Sequence, residues 1–248
     1  MKIAHIVPLP DLDLIEGNEI FMCLAHLALK NAEYKKFYAD RVAEGKFVIL
    51  DNGTAEGSLV SFEELSKMIE EIHPSEVVIP DILHDGDASI KLADKFLTHL
   101  IKTRAINGSL RFMMAVQGNT LEEYIRAVDI VSRWGIINTI GASKFMFSNK
   151  GIDRALFLKV ATTEHPEMNY HVLGLNSVDE LRSIQQFRGV VRSVDSCYAA
   201  LFAQNNSRMD TMHWRKKEFQ FQWEVFRPNY RANARELEDI LNAETADS

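Results

Sequence analysis

Short apolar runs alternate along the chain with longer segments in which apolar residues recur every three or four positions. The runs KIAHIV, KFVILD, EVVIPD, RFMMAVQ, INTIGA, NYHVLGL and VVRSVD predict strands. Most lack strict apolar–polar alternation, as expected of parallel strands covered on both faces. Between them, Phe62, Leu65, Met68, Ile69 and Ile72 define one helical face, and Leu121, Tyr124, Ile125, Val128 and Val131 another. A third helix is expected to carry Ile90, Ala93, Leu97, Leu100 and Ile101. Helix starts are marked by Ser61 with Glu64, Thr120 with Glu123 and Ser177 with Glu180. Each pair fits a capping box, in which hydroxyl and carboxylate satisfy two orphan backbone donors.

Seven such units argue for a (β/α)8 TIM-type barrel, a single domain over residues 1–243 with 244–248 as a disordered tail. The eighth strand is expected within residues 218–226, and a charged helix near residues 233–242 closes the ring. A doubly wound open sheet would use the same alternation and is the runner-up. No GxGxxG or GxxxxGKS/T follows the first strand, which lowers the nucleotide-binding versions of either fold.

The chain of 248 residues is 46% hydrophobic and 25% charged, enough to bury a substantial core. Its formal net charge of −7 gives no global attraction to nucleic acid or anionic membrane, though local basic patches remain open. The two cysteines, Cys23 and Cys197, lie far apart without a CxxC, which argues against a disulfide framework and a structural zinc site. No apolar run is long enough for a signal peptide or a bilayer span, so a cytoplasmic location is expected.

The stretch FVILDNGTAEG, Phe47 to Gly57, poses the first chemical question. Asn-Gly between alternating strands signals a two-residue hairpin. Here a helix beginning near Ser61 follows instead, so the hairpin has no second strand, and Asp51 becomes a carboxylate at a strand's C-terminal end. In a barrel, that end carries the active site. The same position on other strands gives Asp81, Gln117, Gly141, Gly174 and Asp195. Taken singly, a strand-ending aspartate is more often a cap or turn former than a catalyst. Asp85 and Asp87 read as turn and N-cap residues, and His171 as a packed, hydrogen-bonded core histidine. The series on successive strands of one ring is what shifts the balance. Magnesium could use Asp51, Asp81 and Asp195 as oxygen ligands, but the glutamine and glycines would then be unexplained. No metal or other cofactor is expected.

In order and spacing, FVILDNG, VVIPDILHDGD, MMAVQGNTLEEY, NTIGASKF, NYHVLGLNSVDEL and VRSVDSC resemble the barrel motifs of the queuine and archaeosine tRNA-guanine transglycosylases. The resemblance covers about Phe47 to Cys197. It implies that Asp195 is the nucleophile at the ribose and Asp51 the general acid/base. It also implies that Asp81, Gln117, Gly141 and Gly174 surround the purine. An acceptor-only carboxylate suits the N1–H and amino donors of guanine, whereas the Gln117 amide and a Gly141 N–H suit O6. Retaining double displacement through a covalent glycosyl-aspartate needs neither ATP nor a redox cofactor.

Family members that act on tRNA carry a cysteine-rich zinc subdomain, and this chain has no cysteine after Cys197. It is more similar to compact, zinc-free, phage-associated relatives that place 7-deazaguanine bases in DNA. DNA is therefore the favoured polymer partner and tRNA the alternative, with free guanine or a 7-deazaguanine as the small partner; a homodimer is left open. Lys144, Arg208, Arg215, Lys216, Lys217 and Arg227, interleaved in part with Trp214, Trp223 and Tyr230, are the candidate nucleic-acid contacts. Phe219, Phe221 and Trp223 also alternate like a strand with one buried face. Two other classes stay open, a nucleoside glycosidase and a non-catalytic barrel that binds a modified base or nucleic acid.

Overall fold

The computed structural model describes residues 1–103, 108–146, 152–175, 177–209 and 218–243. Eight strands form one all-parallel sheet: β1 (Lys2–His5), β2 (Ile20–Leu24), β3 (Phe47–Asp51), β4 (Glu76–Val78), β5 (Arg111–Val116), β6 (Thr139–Ser143), β7 (Asn169–Leu173) and β8 (Val191–Ser196). Strands β2 to β8 pair in chain order and β1 pairs with β8. The sheet curls until β1 and β2 pack side by side, a seam without a hydrogen-bonded ladder. The result is a nearly closed (β/α)8 TIM-type barrel.

Around it lie α1 (Ala25–Lys30), α2 (Ala32–Ala43), α3 (Phe62–Ile72), α4 (Gly86–Thr103), α5 (Leu121–Ser132), α6 (Arg154–Glu164), α7 (Val178–Gln185), α8 (Tyr198–Gln204) and α9 (Arg227–Asn242). None of the described helices is long and apolar enough to cross a membrane.

All seven expected strands are present, but the eighth is elsewhere. Residues 218–226 form no strand; β2 is the missing member, fully buried and continuous with α1. Its apolar run passes into the helix without a polar break, so periodicity cannot divide it. Residues 221–225 instead pack against the segment that follows β1. There the Leu9 N–H donates to the Phe221 carbonyl (2.8 Å) and the Val225 N–H to Asp11 Oδ2 (2.8 Å). Trp223 is mostly exposed, so the expected buried face does not form. On α4, Phe96 fills the core while Ile101 points to solvent. The expected tail at 244–248 lies outside the described residues.

Each expected cap hydroxyl accepts from its helix, but the reciprocal box of two bonds forms only at Ser61 among the three. The Ser61–Glu64 box is complete. Thr120 accepts from the Glu123 N–H, while the Glu123 carboxylate takes the Asn119 N–H one residue early. Ser177 accepts from the Glu180 N–H. Asp85 accepts from the Ala88 N–H as the N-cap of α4, and Asp87 pairs with Arg126.

The barrel floor is polar and closed. Glu76, fully buried, accepts from Arg192 (3.0 and 2.6 Å) and from the Thr139 hydroxyl (2.5 Å). Arg192 reaches across because β8 bulges there: Tyr170 pairs with Val191 and His171 with Ser193, leaving Arg192 as the extra residue. A bulge re-aims a side chain in this way. The opposite end is left for chemistry.

Candidate active site

A cleft of about 520 Å³, counting its open mouth, lies at the C-terminal ends of the strands. Asp51, Asp81, Gln117, Gly174 and Asp195 all line it, together with Lys144. Residues separated by up to about half the chain therefore face one hollow, because each ends a strand of the same ring.

The LDNG turn is built to present them. Gly53 has φ of +80°, and a Cβ there would lie 2.6 Å from the Ser58 carbonyl, so glycine is required. Asp51 Oδ2 accepts the Gly53 N–H (2.9 Å) and Asn52 Oδ1 the Thr54 N–H (2.8 Å), two Asx turns that stop β3. Asn52 then reaches inward, its amide donating to the Ile79 carbonyl (2.8 Å) and to Asp81 Oδ1 (3.0 Å).

Asp81 is thereby held from both sides, since Gln117 Nε2 donates to its Oδ2 at 2.6 Å. Gln117 Oε1 accepts the His84 N–H (3.3 Å), so the amide mainly orients Asp81, with one N–H left over. Gly141 does not line the cleft. A Cβ there would sit 2.7 Å from Leu173 Cδ1, so its glycine makes room for Leu173, which does line it.

Asp195 is nearly buried. Among the described residues both donors that reach it fall on Oδ1, the Gly174 N–H at 2.9 Å and His171 Nε2 at 3.1 Å. Gly174 adopts φ of +66°, which turns its N–H back toward the aspartate. Its carbonyl accepts from Arg154 Nη2 (2.9 Å), and the same guanidinium donates to the carbonyls of Ala142 and Leu173. Arg154 is fully buried and its charge is met by Glu180 at 2.5 Å. It straps the ends of β6 and β7 together.

Electrostatics separate the carboxylates. Burial, reinforced by Glu56 and then by Asp195 and Asp81, pushes Asp51 up to about 8, against the Gly53 hydrogen bond. Asp81 is also raised by burial, opposed by its bonds to Asn52 and Gln117. Glu56, at the exposed rim of the cleft, is raised by desolvation and by Asp195, with Lys144 pulling it back. Beside the site, burial lifts the Cys197 thiol to about 11, so it stays protonated at neutral pH. No group of three or more His, Cys, Asp or Glu among the described residues is arranged to hold a metal ion.

The basic residues fare unevenly. Lys144 stands at the cleft, its ammonium 5.3 Å from the Phe145 ring centre. Arg208 lies away from it, beside Arg182 and Arg235. Arg227 is not free for phosphates: it grips Asp13 through two bonds (2.6 and 2.9 Å) and Asp11 at 3.0 Å. Burial of Asp11 demanded a cation, and Arg227 supplies it. Arg215, Lys216, Lys217 and Trp214 lie outside the described residues.

Four residues of the site were not assigned to it from sequence. Asn52 and Glu56 sit inside the quoted turn, but nothing in their type set them apart from other loop residues. His171 is packed and hydrogen-bonded as expected, yet its partner is Asp195. Arg154 carried no local signal at all, because its bonds go to backbone carbonyls on two strands. No protein-family model matches the chain, and no curated protein is significantly similar to it.

Proposed function

We propose that this chain is a base-exchange glycosyltransferase, replacing guanine in a polynucleotide, DNA in preference to tRNA, with a 7-deazaguanine. The observation that carries the reading is the division of labour in one cleft. Asp195 offers a restrained carboxylate, burial and the neighbouring Glu56 push Asp51 toward its protonated form, and Asp81 is an acceptor braced on both oxygens.

In this scheme the base lies with N1–H and its amino group toward Asp81, whose remaining lone pairs accept them. Asp195 Oδ2 attacks C1′; the new O–C1′ bond forms as the bond to the base nitrogen breaks. The electron pair leaves with the base, and the Asp51 proton is delivered to it. The glycosyl-aspartate then meets the incoming base. Its ring nitrogen attacks C1′, the ester bond returns its electrons to Asp195, and Asp51 takes the proton. Two inversions retain configuration. Apolar Val78, Ala115 and Leu173 in the lining suit the flat faces of a purine. For a target within a duplex, the nucleotide has to be extruded first. Lys144, which lines the cleft, supplies a cation for the adjoining phosphate in this scheme.

Labelled guanine incubated with DNA and, separately, with tRNA tests this. Label should enter DNA, and Asp195→Ala should abolish incorporation while leaving the fold intact. Incorporation into neither polymer, with hydrolysis of free nucleosides, would favour a glycosidase. Purine binding without any turnover would leave a binding barrel.

A further inference from the structure

Behind Asp195 runs a line of polar side chains through the barrel interior, which a simple nucleophile does not need. His171 is fully buried. Its Nε2 meets Asp195 Oδ1 at 3.1 Å and its Nδ1 meets Ser193 Oγ at 2.7 Å. Ser193 Oγ in turn accepts from Arg192 Nε (3.2 Å), and Arg192 is anchored to Glu76.

Arg192 has only N–H groups to give and an ionised Asp195 only acceptors, so Ser193 Oγ accepts from the one and the Nε2 hydrogen of His171 goes to the other; in a neutral ring that leaves Nδ1 to take the Ser193 hydroxyl hydrogen. With Nδ1 accepting, a neutral imidazole carries its hydrogen on Nε2, where Asp195 Oδ1 accepts it. Arg192, partly exposed, pairs with the buried Glu76, so that end of the line imports no net charge to the nucleophile.

We infer that His171, neutral and protonated on Nε2, is a positioning residue that pins Oδ1 of Asp195 and so selects Oδ2 as the attacking oxygen. This rests on the base-exchange reading. Together with the Gly174 N–H it does more than aim the carboxylate. Donors on Oδ1 stabilise the carboxylate charge that develops as the ester breaks, which makes it a better leaving group when the second base arrives. In the glycosyl-aspartate, Oδ1 is the ester carbonyl and still accepts both hydrogens. As the ester breaks, the returning charge meets donors already in place. An exchange enzyme must break the covalent bond as readily as it makes it, and His171 supplies that balance.

The distinguishing test is twofold. Imidazole ¹⁵N spectra of the whole protein should show Nε2 protonated and Nδ1 unprotonated at His171 at neutral pH. A charged ring or the opposite tautomer overturns the inference, whatever the activity proves to be. In exchange assays, His171→Leu should slow turnover roughly 10- to 100-fold, the loss of one charge-assisted hydrogen bond. It should also raise the fraction of enzyme trapped as covalent adduct, because departure suffers more than attack. His171→Gln, which can place an N–H where Nε2 stood, should restore most of the rate. Ser193→Ala, which deletes only the hydroxyl, should fall between wild type and His171→Leu. Turnover unchanged in His171→Leu, or a glutamine variant as slow as the leucine one, would defeat the role. Absence of exchange in the wild-type protein would defeat the base-exchange reading instead, and the tautomer measurement would still decide the geometry.

Discussion

The Arg154 guanidinium donates to the Gly174 carbonyl at 2.9 Å, and the Gly174 N–H donates onward to Asp195 Oδ1 at the same distance. A residue at the start of α6 thus fixes the peptide that holds Asp195. Replacing Arg154 with methionine would take the cation from Glu180 and a donor from three carbonyls. The cost should be about 3–5 kcal/mol, typical of breaking one side of a buried ion pair. Chemical denaturation measures it, and a loss below about 1 kcal/mol would show that the strap is dispensable.

Asp51 should impose an alkaline limit on exchange. It gives up its proton as pH rises through about 8, so the first displacement should fall across that range. Glu56 is the largest charge holding the value up. Glu56→Gln should therefore move the alkaline limb to lower pH, and an unmoved limb would disconnect the two carboxyls.

The same shift has a consequence for stability. The folded-state value of Asp51 lies above the ordinary 3.8, so between about pH 4 and pH 8 the folded chain holds a proton that the unfolded chain has already released. Stability tied to this group is full below pH 4 and declines as pH rises toward 8. Asp51→Asn keeps an acceptor for the Gly53 N–H and removes the penalty. Allowing for water in the open cleft, the gain should be about 1–2 kcal/mol at pH 8, or roughly 2–8 °C in Tm, and near zero at pH 4. A Tm difference independent of pH would contradict the assignment.

Asn52 should matter for base affinity more than for the chemical step. Asn52→Ala removes one of the two donors bracing Asp81. The KM for the free base should rise roughly tenfold while kcat changes less, as befits a contact felt equally before and at the transition state. Steady-state kinetics with varied guanine would check it. Equal falls in kcat and kcat/KM would assign Asn52 to the transition state instead.

Gly174 combines a positive φ with a Cβ position 2.8 Å from Lys144 Cδ. The lysine stem can swing away, so the backbone conformation sets most of the cost. Gly174→Ala should destabilise by about 1 kcal/mol. It should slow exchange further than that figure implies, because the N–H aimed at Asp195 turns with the backbone. Wild-type turnover in this variant would free the Gly174 peptide of any role.

What sequence alone determined is the barrel and the ring of strand-ending polar residues. Seven strands, their helices and the polar residues that end them follow from local periodicity and capping, and these act between residues a few positions apart. Asp51, Asp81, Gln117 and Asp195 were legible because the fold's own rule places strand ends together. Tertiary structure decided the rest. The eighth strand is β2 rather than residues 218–226, because only the free edge beside β1 selects it. Arg227 serves Asp11 and Asp13 instead of a phosphate, and His171 serves Asp195 instead of the general core. For Arg227 and His171 the partner lies more than twenty residues away, and a long-range pairing of buried polar groups leaves no periodic trace in the chain.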